Sequence, residues 1–381
     1  MTESLLSAKK RLNECGVWSV EFGVVKHICF YLSDHGFGHI ARNIPIIVSA
    51  VKKHDTFVYI VCGKRHIEFA RQNLSLMLSA DEYKRVAFRE MHTDIGLICK
   101  DGTLLVDIEM LTAACTDFLA ELPQRAESEA KWLTENHIDA VLCDMPIWSI
   151  EACELADVPL LYVGNFTWTE LYREFLSERI WQTYAEYYRK IKHTMLYALH
   201  NTEMLEFLNG SEITKTSVTA RSFNENAVSE IRSKHSRPIV FVALGMSAQF
   251  KEPVDVSDVP YDFYTTEGVP LVGDNVEVVP YSTINTQDYV AAADYVITKA
   301  GWGTVSECLL AKKPMALFSR DSVLEDRTTI KLLQEKHLAV SVQQDDLKDI
   351  ESIINKMKTL DGSYAEFYDC ADEAADKLCT I

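Results

Sequence analysis

The chain has 381 residues, enough for two domains at about 100–200 residues each. With 48% hydrophobic and 25% charged residues, and only 15 Gly and 10 Pro, it excludes disordered, collagen-like and low-complexity architectures. Lys and Arg number 38 against 56 Asp and Glu, a net charge of −18 that repels nucleic acid and polyanionic surfaces, and no basic run offsets it.

From His27 the chain alternates short apolar runs with longer helical periods. His27–Leu32 (HICFYL) reads as a buried strand, followed by a glycine turn and an amphipathic helix to Lys53. Phe57–Cys62 is a second strand and Ile67–Leu78 a second helix. Leu104–Glu135 has helical spacing with a break expected at Pro123. Ala140–Cys143 is a strand, Ile147–Ala156 a helix and Leu160–Val163 a strand. Residues 170–205 are aromatic-rich with helical spacing, and their tyrosine stripe reads as packing. The polar stretch 208–236 holds the expected domain boundary.

The alternation then restarts, with strands at Ile239–Ala243, Val276–Val279, Tyr295–Thr298, Met315–Phe318 and Leu338–Val342. Helices close at Tyr289–Ala293 and run over Thr304–Leu310 and Leu324–Glu335. Tyr364–Leu378 reads as a terminal amphipathic helix, and residues 1–26 are also expected to be helical. This is an α/β chain of two doubly wound, Rossmann-like domains. The expected division is 1–220, a linker at 221–236, 237–360, and a tail 361–381 that packs back on the first domain.

Ten cysteines form no C-x-x-C pair and no zinc-like cluster with histidine, so they read as reduced thiols of a cytoplasmic protein. No apolar run reaches the ~18 residues of a membrane span, and residues 1–16 lack the apolar core of a signal peptide. Any membrane contact is therefore expected to be peripheral.

In doubly wound sheets ligands bind at the carboxyl ends of strands. After the first strand comes Ser33-Asp34-His35-Gly36-Phe37-Gly38-His39. Gly36 and Gly38 allow a tight turn, and His39 opens the helix where the dipole disfavours protonation, as suits a general base. A glycine turn with a surface histidine would look the same. Asp144 follows AVLC and either orients His39 or caps the next helix. Gly245-Met246-Ser247 gives a small-residue turn beside the same cleft.

Lys299-Ala300-Gly301-Trp302-Gly303-Thr304 follows a strand and opens a helix whose free N–H groups suit a diphosphate. Glu307 either completes a capping box with Thr304 or holds ribose hydroxyls. The loop is neither a Walker A motif nor G-x-G-x-x-G. Arg320, Glu325 and Asp326 follow the Met315–Phe318 strand; the paired acids suit vicinal sugar hydroxyls or simply a helix N-terminus.

These motifs resemble the GT-B glycosyltransferases, whose two Rossmann-like domains face each other across a cleft. The segment ADYVITKAGWGTVSECLLAKKPMALFSRDSVLED resembles the donor half of UDP-sugar transferases. SDHGFGHIAR, VGNFTW and KAGWGTVSE are similar to stretches in the glycosyltransferase-like part of plant L-arabinokinases. The resemblance spans both domains in order, apart from residues 1–26 and 170–235.

It implies inverting transfer from a nucleoside-diphosphate sugar such as a UDP-sugar to an acceptor hydroxyl, with neither metal nor other cofactor. By the same resemblance His39 is the base and Asp144 its carboxylate partner. Gly245, Ser247, Lys299, Gly301, Trp302, Gly303, Thr304 and Arg320 line the donor, Glu307 meets the ribose, and Tyr281 lies near the nucleobase. Glu325 and Asp326 stand where relatives carry an acid–Gln pair on the sugar. Asp34, His35, Gly36 and Gly38 face acceptor or sugar, with His35 a rival base. Fold relatives include epimerases and hydrolases, for which Asp34, His35 and Glu325 would supply acids and bases, and a non-catalytic nucleotide-sugar sensor is a further alternative.

Overall fold

The structure is a computed structural model that describes residues 6–12, 18–100, 105–244, 252–318 and 323–381. It opens with an antiparallel hairpin of β1 (Leu6–Leu12) and β2 (Trp18–Val24), Leu6 opposite Val24. The helix expected over 1–26 is thereby corrected. The run Trp18-Ser-Val-Glu-Phe-Gly-Val24 has an apolar residue at every second position, a strand period rather than a helical one.

Seven strands follow: β3 (His27–Leu32), β4 (Phe57–Cys62), β5 (Val86–Glu90), β6 (Ala140–Asp144), β7 (Leu160–Gly164), β8 (His193–Leu196) and β9 (Glu212–Lys215). They form one parallel sheet in the order β5-β4-β3-β6-β7-β8-β9. Every residue of β6 and β7 is buried, as befits strands covered on both faces by helices.

The second half contains β10 (Ile239–Ala243), β11 (Val254–Asp255), β12 (Asp262–Thr266), β13 (Leu271–Val272), β14 (Val276–Val279), β15 (Tyr295–Lys299), β16 (Met315–Phe318) and β17 (Ala339–Val342). Six of them form a second parallel sheet, β14-β12-β10-β15-β16-β17, while β11 and β13 pair to one side.

Both sheets reverse direction in the same way. From β3 the chain winds outward through β4 and β5, then returns to β6 beside β3 and winds the other way. From β10 it winds through β12 to β14, then returns to β15 beside β10. The crevices at β3/β6 and β10/β15 are the two topological switch points, where ligands bind in such sheets.

Several helices differ from expectation. Ile108–Glu135 is one helix with Pro123 inside it. Pro123 denies the Leu119 carbonyl its usual donor, but the buried stripe Leu111, Cys115, Phe118, Leu122, Ala126 and Leu133 holds both halves on the sheet. Residues 170–205 are not continuously helical: after Glu178–Tyr188 the chain enters β8. The stretch 221–236 contains a helix, Glu225–Ser233.

At the C-terminus only Ala371–Leu378 is helical. Residues ahead of it bond to the first sheet's margin instead: Cys370 N–H donates to Val218 O at 2.9 Å, and Asp369 bridges to Val218. The helix then lies along Phe37–His54, joined by Ser49 Oγ to Asp372 at 2.6 Å and His54 Nε2 to Asp376 at 2.8 Å. Tyr184 and Tyr188 pack in the core beneath β7.

Candidate active site

The β3/β6 switch point holds the densest buried polar group. Gly36 takes φ 74°, a conformation that favours glycine, and caps the helix Phe37–His54. That helix puts His39, Arg42 and Asn43 on one face at helical spacing, all buried. Pro45 deprives the Ala41 carbonyl of its helical donor, and Thr219 Oγ1 donates to the next carbonyl, Arg42 O, at 2.8 Å.

Asp144, the last residue of β6, is fully buried and meets all three side chains. His39 Nδ1 lies 2.8 Å from Oδ1. Arg42 donates from Nε to Oδ2 at 2.7 Å and from Nη2 to Oδ1 at 2.5 Å, and Asn43 Nδ2 donates to Oδ2 at 2.6 Å. Arg42 Nη1 also donates to Asn165 Oδ1 at 2.8 Å. Burial alone would raise the Asp144 carboxyl, but Arg42 and His39 hold it well below the usual range. Burial lowers the His39 imidazole; Asp144 opposes that and Arg42 adds to it. Met145, next to Asp144, sits at φ 91°, with its carbonyl accepting from Tyr188 Oη at 2.9 Å.

The partners assign tautomers. A carboxylate oxygen accepts only, so neutral His39 carries its proton on Nδ1 and keeps a lone pair on Nε2. His35 Nδ1 instead accepts the Leu97 N–H at 3.4 Å, which puts its neutral-state proton on Nε2. His35 is thus a donor at that nitrogen. Its ring lies against the backbone of Gly96, where a Cβ would come within 2.2 Å of Nδ1, and edge-on to Trp168 at 5.4 Å.

Asp34 works as a clamp: its carboxylate accepts the N–H of Gly63 at 2.5 Å and of Thr93 at 2.8 Å, tying together the loops after β3, β4 and β5. Beneath it Asp94 accepts the Asp34 N–H at 3.0 Å and Trp168 Nε1–H at 2.9 Å, and burial pushes its carboxyl up to about 7.

At the β10/β15 switch point the helix Trp302–Ala311 starts with Gly301 as N-cap. Its first bond runs from Val305 N–H to Gly301 O at 3.1 Å, so the N–H groups of Trp302, Gly303 and Thr304 precede the helical ladder. Thr304 lies inside the first turn, so the capping box with Glu307 does not form. Buried Glu307 is held by Arg221, from Nε at 3.0 Å and Nη2 at 2.7 Å, both on Oε1. Arg221 also donates to Ile284 O at 2.8 Å and Thr286 Oγ1 at 3.2 Å. Burial raises the Glu307 carboxyl and Arg221 counters it.

Lys299 ends β15, its Cε 3.3 Å from where a Cβ on Gly301 would stand. Glu325 and Asp326 occupy the first turn of Leu324–Glu335, with Asp326 buried and Glu325 near enough for its charge to act on Arg42. Tyr281 lies apart, half exposed, its hydroxyl donating to Glu267 O at 2.6 Å. Gly38 has open space where a Cβ would point. Gly245, Ser247 and Arg320 lie outside the described residues.

The two switch points meet. A Cβ on Gly303 would stand 3.8 Å from Ala41 Cβ. Trp302 lies 5.5 Å from the Tyr197 ring, and the Arg42 guanidinium sits 5.5 Å from the Tyr197 ring and 5.9 Å from that of Trp302. An Arg327–Glu174 ion pair and the packing of Leu324 into the first domain's core join the halves further.

Sequence reasoning missed Arg42, Asn43, Asn165 and Arg221. For the first two the signal was the spacing His-x-x-Arg-Asn on a helix; Asn165 directly follows a buried strand. Arg221 stands in a polar stretch with no local pattern.

The two doubly wound sheets with facing switch points have the GT-B fold. Residues 216–376 match the glycosyltransferase family 28 C-terminal domain. Among curated proteins the chain is similar to the L-arabinokinase of Arabidopsis thaliana, 22% identical, over 84% of this chain and 31% of that protein. The chain thus spans about a third of that relative's length. Among solved structures it resembles Arabidopsis thaliana UGT89C1 complexed with UDP-L-rhamnose, with a TM-score of 0.61 and 11% identity, covering 94% of this chain and 99% of that one. It also resembles CalG4, the calicheamicin glycosyltransferase, with a TM-score of 0.58 and 15% identity over 93% of each chain. Among the described residues no helix is long and apolar enough to cross a membrane, and no group of three or more His, Cys, Asp or Glu could hold a metal ion.

Proposed function

We propose that this chain transfers a sugar from a nucleoside-diphosphate sugar, UDP being the favoured nucleotide, to an acceptor hydroxyl with inversion. The observation that carries the reading is the buried His39–Asp144 pair, 2.8 Å apart, at one switch point, with a helix N-terminus packed against the same helix from the other. His39 Nε2 takes the acceptor proton as the hydroxyl oxygen attacks the anomeric carbon. The bond to the diphosphate breaks, and the N–H groups of Trp302, Gly303 and Thr304 receive the developing charge. The reading needs no metal for that step.

Glu307, with one carboxylate oxygen engaged by Arg221, offers the other to ribose hydroxyls. Glu325, Asp326 and Lys299, with Arg320, Gly245 and Ser247 from outside the described residues, are assigned to the donor, and Tyr281 to its nucleobase. His35 supplies a hydrogen-bond donor toward acceptor or sugar. Free thiols at nine described cysteines, eight of them buried, support a cytoplasmic setting.

The test is a thermal-shift panel of nucleoside diphosphates and their sugars, followed by turnover of the stabilising donor. A ligand at 100 times its Kd should stabilise by about 2.7 kcal/mol. His39→Ala should then cut turnover by about 10²–10⁴-fold with donor affinity retained. His35→Ala should leave the base function intact. If His39→Ala keeps near-full transfer, or loses donor binding outright, His39 is not the base.

A further inference from the structure

A carboxylate hydrogen-bonded to a buried histidine favours the imidazolium, since the pair is then ionic on both sides. At this site a third charge intervenes. Arg42 takes Asp144 in a two-point grip, Nε on Oδ2 at 2.7 Å and Nη2 on Oδ1 at 2.5 Å, and its Nη2 stands 3.1 Å from His39 Nδ1. Arginine donates only, and Nδ1 already carries a proton toward Asp144, so the 3.1 Å approach is donor against donor. Protonating Nε2 would add a second cation beside the guanidinium.

We propose that Arg42 is a positioning residue for the base: it fixes Asp144 in the geometry that leaves His39 Nε2 unprotonated, and its charge keeps the imidazole neutral. The inference rests on the reading of His39 as the base.

The surroundings of His39 support this balance. From its own helix come Arg42 and the neutral amide of Asn43; from β6 comes Asp144. His66, on the helix Lys64–Met77, also disfavours the imidazolium, and the Phe166 ring stands 6.0 Å away. Glu325, on Leu324–Glu335 of the other half, is near enough for its charge to act on Arg42. Asp144 is thus the one anion bonded to the imidazole, and Arg42 is the group that offsets it. Because the same guanidinium lies 5.9 Å from the Trp302 ring, the offset is anchored at the first residue of the helix proposed to hold the diphosphate.

The experiment is an NMR titration of the histidine Cε1–H signals of the full chain, with His39 assigned by its loss in His39→Gln. In the wild type His39 should titrate below the ordinary value of about 6.5. Arg42→Gln, which keeps hydrogen bonding but drops the charge, should raise His39 by a unit or more, a tenfold gain in proton affinity. Arg42→Lys, which keeps the charge, should stay near wild type while losing the two-point grip. The acid limb of kcat/KM should move upward with Arg42→Gln and stay in place with Arg42→Lys.

A wild-type His39 that titrates at or above the ordinary value overturns the proposal whether or not any variant folds. So does an unmoved titration in a folded Arg42→Gln. The titration needs no substrate: a shifted His39 without sugar transfer sinks the base reading and leaves the effect of Arg42 standing.

Discussion

Glu307→Ala separates two demands on one carboxylate. Glu307 Oε1 accepts two bonds from Arg221, at 3.0 and 2.7 Å, and both side chains are buried, with 7% of Arg221 and 3% of Glu307 exposed. Removing the acid leaves Arg221 with Ile284 O and Thr286 Oγ1 as its acceptors among the described residues. Stranding one partner of a buried ion pair costs about 3–5 kcal/mol. The two neutral acceptors put this case at the lower end, near about 3 kcal/mol.

Arg221→Met should cost as much, because the carboxylate is then buried alone. The double variant Arg221→Met/Glu307→Ala, which leaves no unpaired charge, should be more stable than either single. Urea unfolding of all four proteins checks this. Double-variant destabilisation equal to the sum of the singles would falsify the pairing. UDP calorimetry on folded Glu307→Gln supplies the second readout: losing a charge-assisted bond to ribose weakens binding by roughly 1.5–3 kcal/mol, about 10- to 150-fold. Unchanged UDP affinity leaves Glu307 with Arg221 alone.

Two further expectations follow from the loops after β5 and β3. Asp94 is held by burial at about 7, well above the usual carboxylate value of 3.8, so its favourable contribution is complete below about pH 4 and is lost as pH rises through 7. Asp94→Asn lacks that titration, and its stability relative to wild type should rise between pH 4 and 8, by up to about 4 kcal/mol; a constant difference across that range refutes the assignment. Gly36→Ala, at φ 74° and ψ 167° with open space for a Cβ, should cost about 1–3 kcal/mol from backbone strain alone. Gly38→Ala, helical and equally open, should be neutral or stabilising by urea unfolding, and equal effects at the two glycines would contradict the cap geometry.

What the sequence disclosed follows from where each strand lies. HICFYL, FVYIVC and AVLCD occupy the interior of a parallel sheet, where burial on both faces demands an unbroken apolar run. Within the two parallel sheets the strands missed were β5, β8, β9 and β12, and outside them the hairpin β1–β2 and the short pair β11–β13. β9 (EITK) is an edge strand with two exposed residues, and β5 (VAFRE) is partly exposed throughout, so neither carries that run. His39 and Asp144 were legible because each stands at or just past the end of a buried strand. Arg221 was not, since its partner is 86 residues away and only the return of the chain between domains brings them together. The capping box at Thr304 was a plausible spacing that failed on one detail. The helix begins at Trp302, so Thr304 has helical rather than capping geometry.

A chain with a net charge of −18 proposed to bind an anionic donor must draw its attraction from local features. The buried cations at the seam do not supply it freely, for Arg42 is matched to Asp144 and Arg221 to Glu307. Each pair instead fixes a side chain of the site, the first through a carboxylate against His39 and the second through a carboxylate on the helix that opens at Trp302. The unspent positive potential lies in the backbone, at the N–H groups of Trp302, Gly303 and Thr304, whose direction is set by the helix and cannot be neutralised by a rotamer change. Placing those groups beside Ala41 and Arg42 requires both switch points to face the same seam. Two sheets wound in the same sense from β3/β6 and β10/β15 meet that requirement, and they bring Gly303 to within ordinary contact distance of Ala41.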